Sequence, residues 1–480
     1  MQNANDGHQE NNNKDYNDKV RQVFPGASIN KDLIRRNDNP DLPRYIFEWL
    51  LSKFIEDGTL SYEQKRKLQD LIEKHVPDPE QLERYKFLIL KQNKPQKILN
   101  HFKVTLNSKT EKYQVKFPFF SAESNNVEIR DDIVEKNQSL LENGLWGIAK
   151  IENNQWSERP FSINQFIPVC IQDVKLDSFI RARNSFSTNQ WIDLLINTMG
   201  LNPAGYPGTR EKIHLIARLI PYVEKNYNLI EMGLKGTGKS FLHKNISTRS
   251  FVIGGGTVTR AQLFYHIGKH QKGLIPSHDV VVFDDFSNME IRDTSQVIGK
   301  MKNYMEDGII DVGSFRETAH CSVVIMGNVI VDRYGDPVSK FYFKLLPPAM
   351  RESAFLDRIC AFIPGWKLHP VRKKDLSISY GLIGDWFSEL MHALRRKNFN
   401  AEITENIEFT GYPGRQRDIK AMKKTVSGLI KLMFPDGNIG IDEWTLLGDI
   451  AAELRQNVLD QLAKIDGEYH NYKVDYILNE

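Results

Sequence analysis

The chain has 480 residues, a net charge of +3 at pH 7, 40% hydrophobic residues and 26% charged residues. This composition is typical of a soluble globular protein with several domains, and the sequence has no run of about 18 apolar residues for a membrane span. The small net charge does not by itself indicate a nucleic-acid partner, so such a claim depends on local basic clusters. The three cysteines lack paired spacing, which excludes a disulfide framework and favours a cytoplasmic location.

The N-terminal part of the chain changes from polar composition to helical periodicity. Residues 1–20 are rich in Asn, Asp and Gln, so we expect a disordered tail. Residues 21–97 are predicted to form a helical module. Apolar residues recur there at helical spacing in three stretches, 42–58, 61–76 and 79–92.

The remaining three quarters of the chain divide into four segments by their patterns. Residues 98–175 alternate apolar and polar residues around turns, which predicts a small β-rich, OB-like domain. Residues 176–210 are predicted to be a helical linker. Helical and strand patterns alternate over residues 211–366, which predicts a parallel α/β sheet, whereas residues 367–480 are predicted to be a helical lid and further helices.

A phosphate-binding loop is predicted by 233-GLKGTGKS-240, which fits G-x-x-x-x-G-K-[ST] between a predicted strand and a predicted helix. The glycines allow backbone N–H groups to face phosphates, Lys239 reaches the β- and γ-phosphates, and the Ser240 hydroxyl is placed to bind Mg²⁺. ATP and Mg²⁺ are therefore the expected ligands. The expected nucleotide-binding residues are Gly233, Gly236, Thr237, Gly238, Lys239 and Ser240.

The predicted strand 280-VVVF-283 ends at two adjacent aspartates. Because a nucleotide loop needs a second carboxylate for its metal at the end of a buried strand, Asp284 is expected to bind Mg²⁺ together with Ser240. Asp285 is expected to be the group nearest the attacking water. The alternative is that both aspartates only cap the helix that starts near residue 293.

Three further side chains are candidates for the same chemistry or for a central pore. The strand 322–328 ends in Asn328, whose amide is placed to orient the attacking water, although Asn is also a common turn residue. A β-hairpin is predicted over 309–319, and we expect it to project toward a pore with Arg316 at its base. Arg358 is either a surface ion-pair partner or, in a ring of subunits, the side chain that reaches the next subunit's γ-phosphate.

Taken in order, these motifs resemble those of an AAA+ ATPase. In that family GLKGTGKS, VVVFDD, SVVIMGN and LDRI correspond to Walker A, Walker B, sensor 1 and the arginine finger. The resemblance places sensor 2 at Arg417 of the run GRQRDI, with Arg415 as the alternative. It implies an α/β fold, an AAA+ P-loop NTPase core with a helical lid, preceded by the helical module and the OB-like domain.

Longer runs narrow the resemblance to the BrxL family, the Lon-like AAA+ ATPase of BREX phage-defence systems. The similarity covers about residues 23–435. It implies a homo-oligomeric ring, a hexamer or double hexamer, that binds double-stranded DNA and acts alongside other BREX defence proteins. The runs include 191-WIDLLINTMG-200, 215-LIARLIPYVEKNYNLIEMGLKGTGKS-240, 254-GGGTVTRAQLFYHIGKHQKGLI-275 and 351-RESAFLDRICAFIPGW-366.

Two departures from the family pattern affect the expected activity. Many members carry a C-terminal Lon-protease-like domain, and the residues after Pro435 are too few for one, so we expect no peptidase activity. Asp285 stands where glutamate is usual. Since its side chain is one methylene shorter, we expect either a backbone shifted toward the γ-phosphate or a slow ATPase.

DNA contacts are expected with the phosphate backbone rather than with base edges. The basic runs 372–374 and 395–397 are of a kind that more often forms a solvated face than a binding site. The candidates are therefore Arg316 in the predicted hairpin and Lys103 and Lys116 on predicted strands.

The function expected from these features is that of an ATP-hydrolysing ring that grips or translocates on duplex DNA. The phosphate-loop residues, both aspartates and Asn328 act within one subunit, Arg358 acts on the next subunit, and Arg417 reports the nucleotide state through the lid. One alternative is a Lon-like protein unfoldase that works with a separate protease. Another is a nucleotide-gated DNA-binding assembly with slow turnover.

Overall fold

The computed structural model describes residues 14–37, 39, 42–55, 58–107, 110–120, 126–141, 144–155, 157–169 and 174–479. The chain forms two compact units. The smaller comprises Leu33–Asp173 with Ile383–Trp386, and the larger comprises Met1–Asp32, Val174–Leu382 and Phe387–Glu480. No helix in the described ranges combines the length and the apolar character that crossing a bilayer requires.

The first part of the chain supplies the smaller unit and the N-terminal elements of the larger one. Ser61 begins the longest of these helices, because its hydroxyl accepts a bond from Gln64 N at 3.2 Å. The helices and strands are α1 (14–23), β1 (Ser28–Asn30), α2 (Lys31–Arg36), α3 (Arg44–Ser52), α4 (Tyr62–His75), α5 (Leu82–Leu90), β2 (Gln96–Asn107), β3 (Lys112–Lys116), β4 (Val127–Ile129), α6 (Asp131–Lys136), β5 (Leu145–Asn153) and β6 (Phe161–Pro168).

Strands β2 to β6 form one sheet in the order β3-β2-β5-β6-β4, antiparallel except for the pair β4 and β6. Phe102 and Val104 are both fully buried, as the period of two along a strand predicts. Lys112 on one edge strand lies 3.5 Å from Glu128 on the other, so the two edges approach each other as in a partly open barrel. Five strands therefore occupy the segment predicted to be β-rich, and the OB-like assignment remains a prediction.

The larger unit continues with the α/β core and the C-terminal elements. These are α7 (Leu176–Ala182), α8 (Thr188–Thr198), α9 (Thr209–Ala217), α10 (Ile220–Val223), β7 (Leu229–Gly233), α11 (Lys239–Asn245), β8 (Ser250–Val258), α12 (Arg260–Leu263), β9 (Tyr265–His266), β10 (Gln271–Lys272), β11 (Val280–Ile291), α13 (Thr294–Asp307), β12 (Ile309–Val312), β13 (Phe315–Thr318), β14 (Ser322–Asn328), α14 (Ser353–Leu356), β15 (Ala361–Gly365), β16 (Tyr380–Leu382), α15 (Gly384–Leu394), α16 (Asn400–Asn406), β17 (Ile407–Tyr412), α17 (Gln416–Met433), α18 (Ile441–Leu462) and β18 (Lys473–Leu478).

The core of the larger unit is a five-stranded sheet in the order β15-β7-β14-β11-β8, and every neighbouring pair is parallel. β7 and β15 are buried along their whole length, which is typical of a parallel sheet covered on both faces. The carboxyl ends of β7 and β14 consequently lie along one edge, where the pairing of β11 with β14 also stops, after Phe283. This arrangement confirms the predicted α/β fold with a parallel sheet. The prediction that the strand starting at Val280 ends at the two aspartates is wrong, since β11 continues to Ile291.

The prediction that residues 1–20 form a disordered tail is wrong for those of them that the structure describes. Residues 1–13 of that prediction lie outside the described ranges, but residues 14–23 form α1. Tyr16 and Val20, one helical turn apart, are both buried, and the Tyr16 hydroxyl donates to Tyr380 O at 3.1 Å. Contacts with a segment more than 300 residues away thus order a stretch whose own composition predicts disorder.

The predicted linker is also packed into the larger unit. Trp191 on α8 is fully buried, and its Nε1 donates to Leu432 O at 2.8 Å. Arg183 donates from Nε to Met433 O at 2.8 Å. The segment is helical as predicted, but it is part of a core rather than a free connection.

Strands interrupt the C-terminal segment that was predicted to be helical. β16 pairs with β1, and β17 pairs with β18 in an antiparallel register that places Ile407 opposite Leu478. Exposure alternates along β18, as it does along a strand with one covered face. The prediction is confirmed for helices α15 to α18 and is wrong for these three strands.

Candidate nucleotide site

The predicted phosphate loop connects β7 to α11 at the carboxyl edge of the parallel sheet. Gly236 and Gly238 have φ values of +80° and +77°, which residues with a Cβ rarely adopt. Such a turn directs successive backbone N–H groups toward a bound anion. Gly233 has a different purpose from the one predicted: it ends β7, where a Cβ would lie 2.7 Å from the Gly365 carbonyl carbon of β15.

The Lys239 ammonium is folded back onto this loop. Its Nζ donates to Leu234 O at 2.7 Å and to Thr237 Oγ1 at 3.3 Å, and it lies 3.4 Å from Asn328 Oδ1. Burial lowers the pKa of Lys239, while the nearby Glu231 carboxylate raises it. The structure thus brings two predicted site residues together, one from the loop and one from the end of β14.

Ser240 and Asp284 meet in the same way. The Ser240 hydroxyl donates to Asp284 Oδ1 at 2.9 Å, although the two residues are 44 positions apart in the chain. Hydroxyl and carboxylate oxygens are the ligands that Mg²⁺ prefers, and Mg²⁺ usually takes only one or two protein side chains and completes its shell with phosphates and water. This pair therefore fits the predicted magnesium position.

Asp285 departs from the geometry of its strand. Its φ is +52°, a left-handed conformation that costs a non-glycine residue about 1 kcal/mol or more. The pairing between β11 and β8 shifts here: Asp284 is opposite Gly254, but Met289 is opposite Gly256. A bulge of this kind changes the direction of a side chain. The backbone is therefore irregular at Asp285, and whether this brings its carboxylate toward a γ-phosphate stays a prediction.

A cavity of about 590 Å³ lies beside the loop, within the size range of ligand sites. Asp285 and Asn328 both line it, so the two candidate water-positioning residues face a common space. Val371 N donates to Gly236 O at 2.9 Å and fixes the segment after β15 beside the loop. The lining residues are Leu234, Lys235, Asp285, Asn328, Val329, Ile330, Val331 and Pro370.

Substitutions at Asp285 test whether its carboxylate is the general base and whether its short side chain makes the ATPase slow. Asp285→Glu should raise the rate of ATP hydrolysis by up to about a hundredfold if the native carboxylate is about 1 Å too far from the water. Asp285→Asn should lower that rate by about a hundredfold or more, because an amide cannot accept the proton. Steady-state phosphate release measures both effects, and the affinity for Mg-ATP is the control. An unchanged rate in Asp285→Asn would show that Asp285 is not the base.

The arginines predicted to act on the nucleotide lie at the other edge of the sheet. Arg358 precedes β15, and Asn228, which precedes β7, donates from Nδ2 to Arg358 O at 3.2 Å. Four residues of β7 at about 3.3 Å each separate this edge from Gly233, a span of about 13 Å. Arg358 is therefore remote from the phosphate loop of its own subunit.

Arg417 lies at the same remote edge, beside Arg358. It contacts Glu306 at 2.7 Å and Asp357 at 2.5 Å, and Arg358 also contacts Glu306, at 3.0 Å. Arg417, which the resemblance makes the residue that reports the nucleotide state through the lid, is therefore remote from the phosphate loop of its own subunit, because helix α17 begins at the edge opposite the loop.

The alternative residue, Arg415, is held even more firmly at this edge. It binds Asp357 and Asp418 at 2.9 Å each and packs over the rings of Tyr469 and Tyr472. Sequence reasoning missed the acidic members of this cluster. Asp357 directly precedes Arg358 and offered a signal, whereas Glu306 occupies an ordinary position near a helix end.

The predicted hairpin is present as β12 and β13, with its turn at Gly313 and Ser314. Arg316 is exposed and lies next to the pair that flanks the turn, not at the base of the hairpin as predicted, since the turn takes only two residues. A second hairpin, β9 and β10, packs beside it. The rings of Tyr265 and Phe315 stack at 4.1 Å, so the two hairpins support each other.

In the smaller unit the two predicted lysines are direct cross-strand neighbours. Lys103 on β2 is opposite Lys116 on β3, and the next pair, Val104 and Val115, is fully buried. The lysines consequently point to the outer face of the sheet. The register thus places two positive charges side by side on that face.

Comparison with known proteins identifies the family. A family model described as "Lon-like protease BrxL-like, ATPase domain" matches residues 161–475, and one described as "BREX system Lon protease-like protein BrxL N-terminal" matches residues 22–153. The chain belongs to the BrxL family. The match to the ATPase domain of that family contains the α/β core and the candidate nucleotide site.

Two BrxL relatives match almost the whole chain. The "Lon-like protease BrxL" of Escherichia coli O9:H4 (strain HS) is 32% identical over 474 residues, which cover 96% of this chain and 67% of the relative. The "Lon-like protease BrxL" of Bacillus cereus (strain H3081.97) is 32% identical over 478 residues, which cover 97% and 70%. The chain thus spans about two thirds of the length of these BrxL proteins.

Proposed function

We propose that this chain is an ATP-hydrolysing AAA+ ring protein that binds, and translocates on, double-stranded DNA in BREX-type phage defence. One observation carries the proposal: a phosphate loop, a Ser240–Asp284 pair at 2.9 Å and Asn328 converge beside a cavity that Asp285 also lines. These groups come from the ends of β7 and β14 and from the bulge within β11. ATP, Mg²⁺ and a cytoplasmic location are part of the proposal.

Each residue has a role that its position supports. Ser240 and Asp284 would hold Mg²⁺, which neutralises charge that develops on the phosphates. Lys239 would exchange its bonds within the loop for phosphate oxygens. Asp285 would accept the proton of the attacking water, and Asn328 would orient that water from the other side of the cavity.

A ring would complete the site. Head-to-tail contacts join different faces of identical subunits, and they form a ring when the rotation from one subunit to the next closes. The arginine edge and the phosphate-loop edge of the sheet are opposite faces of this kind. In a hexamer or double hexamer, Arg358 and Arg417 of one subunit would therefore contact the nucleotide of the next.

Duplex DNA is the proposed partner, together with other BREX proteins. The Lys103–Lys116 pair offers a small basic surface, and a ring presents several copies of such a surface to one duplex. In the packed hairpins the exposed Arg316 is opposite Asp311, and Lys272 pairs with Glu317. Asp285 favours a second candidate, a nucleotide-gated DNA-binding assembly with slow turnover. The observation that favours this candidate is that Asp285 has a shorter side chain than glutamate and a left-handed backbone conformation.

ATP hydrolysis measured with and without duplex DNA tests the proposal. Stimulation by duplex DNA that is lost in Lys239→Ala supports the motor. DNA binding that depends on nucleotide, with hydrolysis too slow to be stimulated, supports the gated assembly. Stimulation by unfolded polypeptide and not by DNA would show instead that the chain is an unfoldase.

Neutralising the lysine pair should weaken DNA binding through its salt dependence. In Lys103→Gln with Lys116→Gln, the plot of log K for DNA binding against log salt should become less steep. Its slope should decrease in magnitude by about 1 for each phosphate that a subunit no longer neutralises, and affinity should fall equally for unrelated sequences. Fluorescence anisotropy over a salt series measures the slope. Lys112→Gln on the same strand is the matched control, since Lys112 pairs with Glu128. An unchanged slope in the double variant would show that this face does not bind DNA.

A further inference from the structure

A buried ion pair lies directly beneath the phosphate loop. Arg218, which follows α9, and Glu231, in the middle of β7, are 1% and 0% exposed in their side chains. The guanidinium binds the carboxylate from Nη2 to Oε1 at 2.6 Å and from Nε to Oε2 at 3.0 Å. Burying such a pair usually adds little stability compared with apolar side chains of the same size. Fold stability alone is therefore a weak reason for a charged pair in this strand.

The remaining nitrogen of the same guanidinium, Nη1, hydrogen-bonds to the phosphate loop. Arg218 Nη1 donates to Thr237 O at 3.1 Å, and Thr237 lies between the two left-handed glycines. In a trans peptide the C=O and the next N–H point in opposite directions. Because the Thr237 carbonyl is held toward the sheet, the N–H of Gly238 is directed away from it, to the side where phosphates bind.

The neighbouring strand makes room for this arrangement. A Cβ on Gly365 of β15 would lie 2.8 Å from Glu231 Oε1, so a larger residue there would displace the carboxylate. Glu231 in turn fixes the guanidinium through two of its nitrogens, which leaves the third directed at the loop. A planar fork held at two points has little freedom to release the Thr237 carbonyl.

We propose that Arg218 and Glu231 are a positioning pair that holds the Gly238 N–H toward the nucleotide phosphates. The inference rests on the proposed nucleotide site and deepens it. Neither residue touches the nucleotide: Arg218 acts through the Thr237 peptide, and Glu231 acts through Arg218. The pair should therefore affect nucleotide affinity more than it affects the stability of the fold.

The test replaces both partners, since removal of one would leave a buried unpaired charge. Arg218→Met with Glu231→Met should melt close to wild type without nucleotide but bind Mg-ATP about tenfold to a hundredfold more weakly, because the loop would lose one charge-assisted anchor. Arg218→Lys keeps the positive charge but not the planar guanidinium, so its affinity for Mg-ATP should lie between those of wild type and the double variant. Titration with a fluorescent ATP analogue and thermal unfolding give the two readouts.

A second buried pair in the same unit is the matched control. Lys431 on α17 lies 2.6 Å from Glu224 and also donates to a backbone carbonyl, Val223 O, at 3.2 Å. Glu224 and Val223 lie at the end of α10, not in the phosphate loop. Lys431→Met with Glu224→Met should leave Mg-ATP affinity unchanged. Wild-type affinity in the folded Arg218 and Glu231 double variant would overturn the inference, and so would wild-type affinity in Arg218→Lys if the double variant does not fold. Failure of the wild-type chain to bind Mg-ATP would instead refute the proposed function.

Discussion

Lys239→Ala is expected to lower ATP hydrolysis by at least about a hundredfold while leaving the fold intact. In the structure Nζ is held by Leu234 O and Thr237 Oγ1 within the loop and lies 3.4 Å from Asn328 Oδ1. Its position lets it move onto the β- and γ-phosphates, where it would oppose the charge that develops as the bond to the γ-phosphate breaks. Alanine removes that charge and leaves the backbone N–H groups of the loop in place.

Phosphate release, thermal unfolding and Mg-ATP titration distinguish a catalytic effect from a structural one. Lys235→Ala is the matched control, because Lys235 is an exposed lysine of the same loop that also lines the cavity. We expect Lys235→Ala to retain most of the activity. If Lys239→Ala melts as wild type does and still hydrolyses ATP at the wild-type rate, the phosphate loop is not the hydrolytic site.

Local sequence was enough to predict the elements that place this site. The glycines at 236 and 238, Lys239 and Ser240 form a continuous motif, and Asp284 and Asn328 each follow a short apolar run that is typical of a buried strand. Parallel pairing then brings the strand ends together without any further information, because all carboxyl ends share one edge. The Ser240–Asp284 bond is the result.

Features that depend on distant contacts could not be predicted in this way. The left-handed φ of Asp285 follows from a bulge against β8, and α1 is ordered by a contact with Tyr380. The resemblance gave Arg417 the role of reporting the nucleotide state through the lid but did not say which subunit's nucleotide, and the start of α17 lies at the edge of the sheet opposite the phosphate loop. Sequence order gives no information about which edge a lid helix reaches.

The position of Arg358 predicts that two variants, each inactive alone, recover ATPase activity when they are mixed in one ring. Arg358→Ala and Lys239→Ala should each be inactive alone, since the first lacks the residue given to the neighbour and the second lacks its own phosphate ligand. Mixed in one ring at equal amounts, about a quarter of the interfaces should pair an intact Lys239 with an intact Arg358. Co-expressed variants should therefore recover up to about a quarter of the wild-type ATPase.

A matched mixture tests whether that recovery comes from shared sites. Lys239→Ala mixed with Asp285→Asn should recover nothing, because both residues belong to the same side of the interface and no interface then holds an intact pair. The same design applied to Arg417→Ala decides its place: recovery with Lys239→Ala would assign Arg417 to the neighbouring nucleotide, as its contact with Glu306 beside Arg358 implies. If the Arg358→Ala and Lys239→Ala mixture stays inactive while both variants assemble with each other, the sites are not shared between subunits, and the arginine cluster only joins α13 and α17 to the sheet.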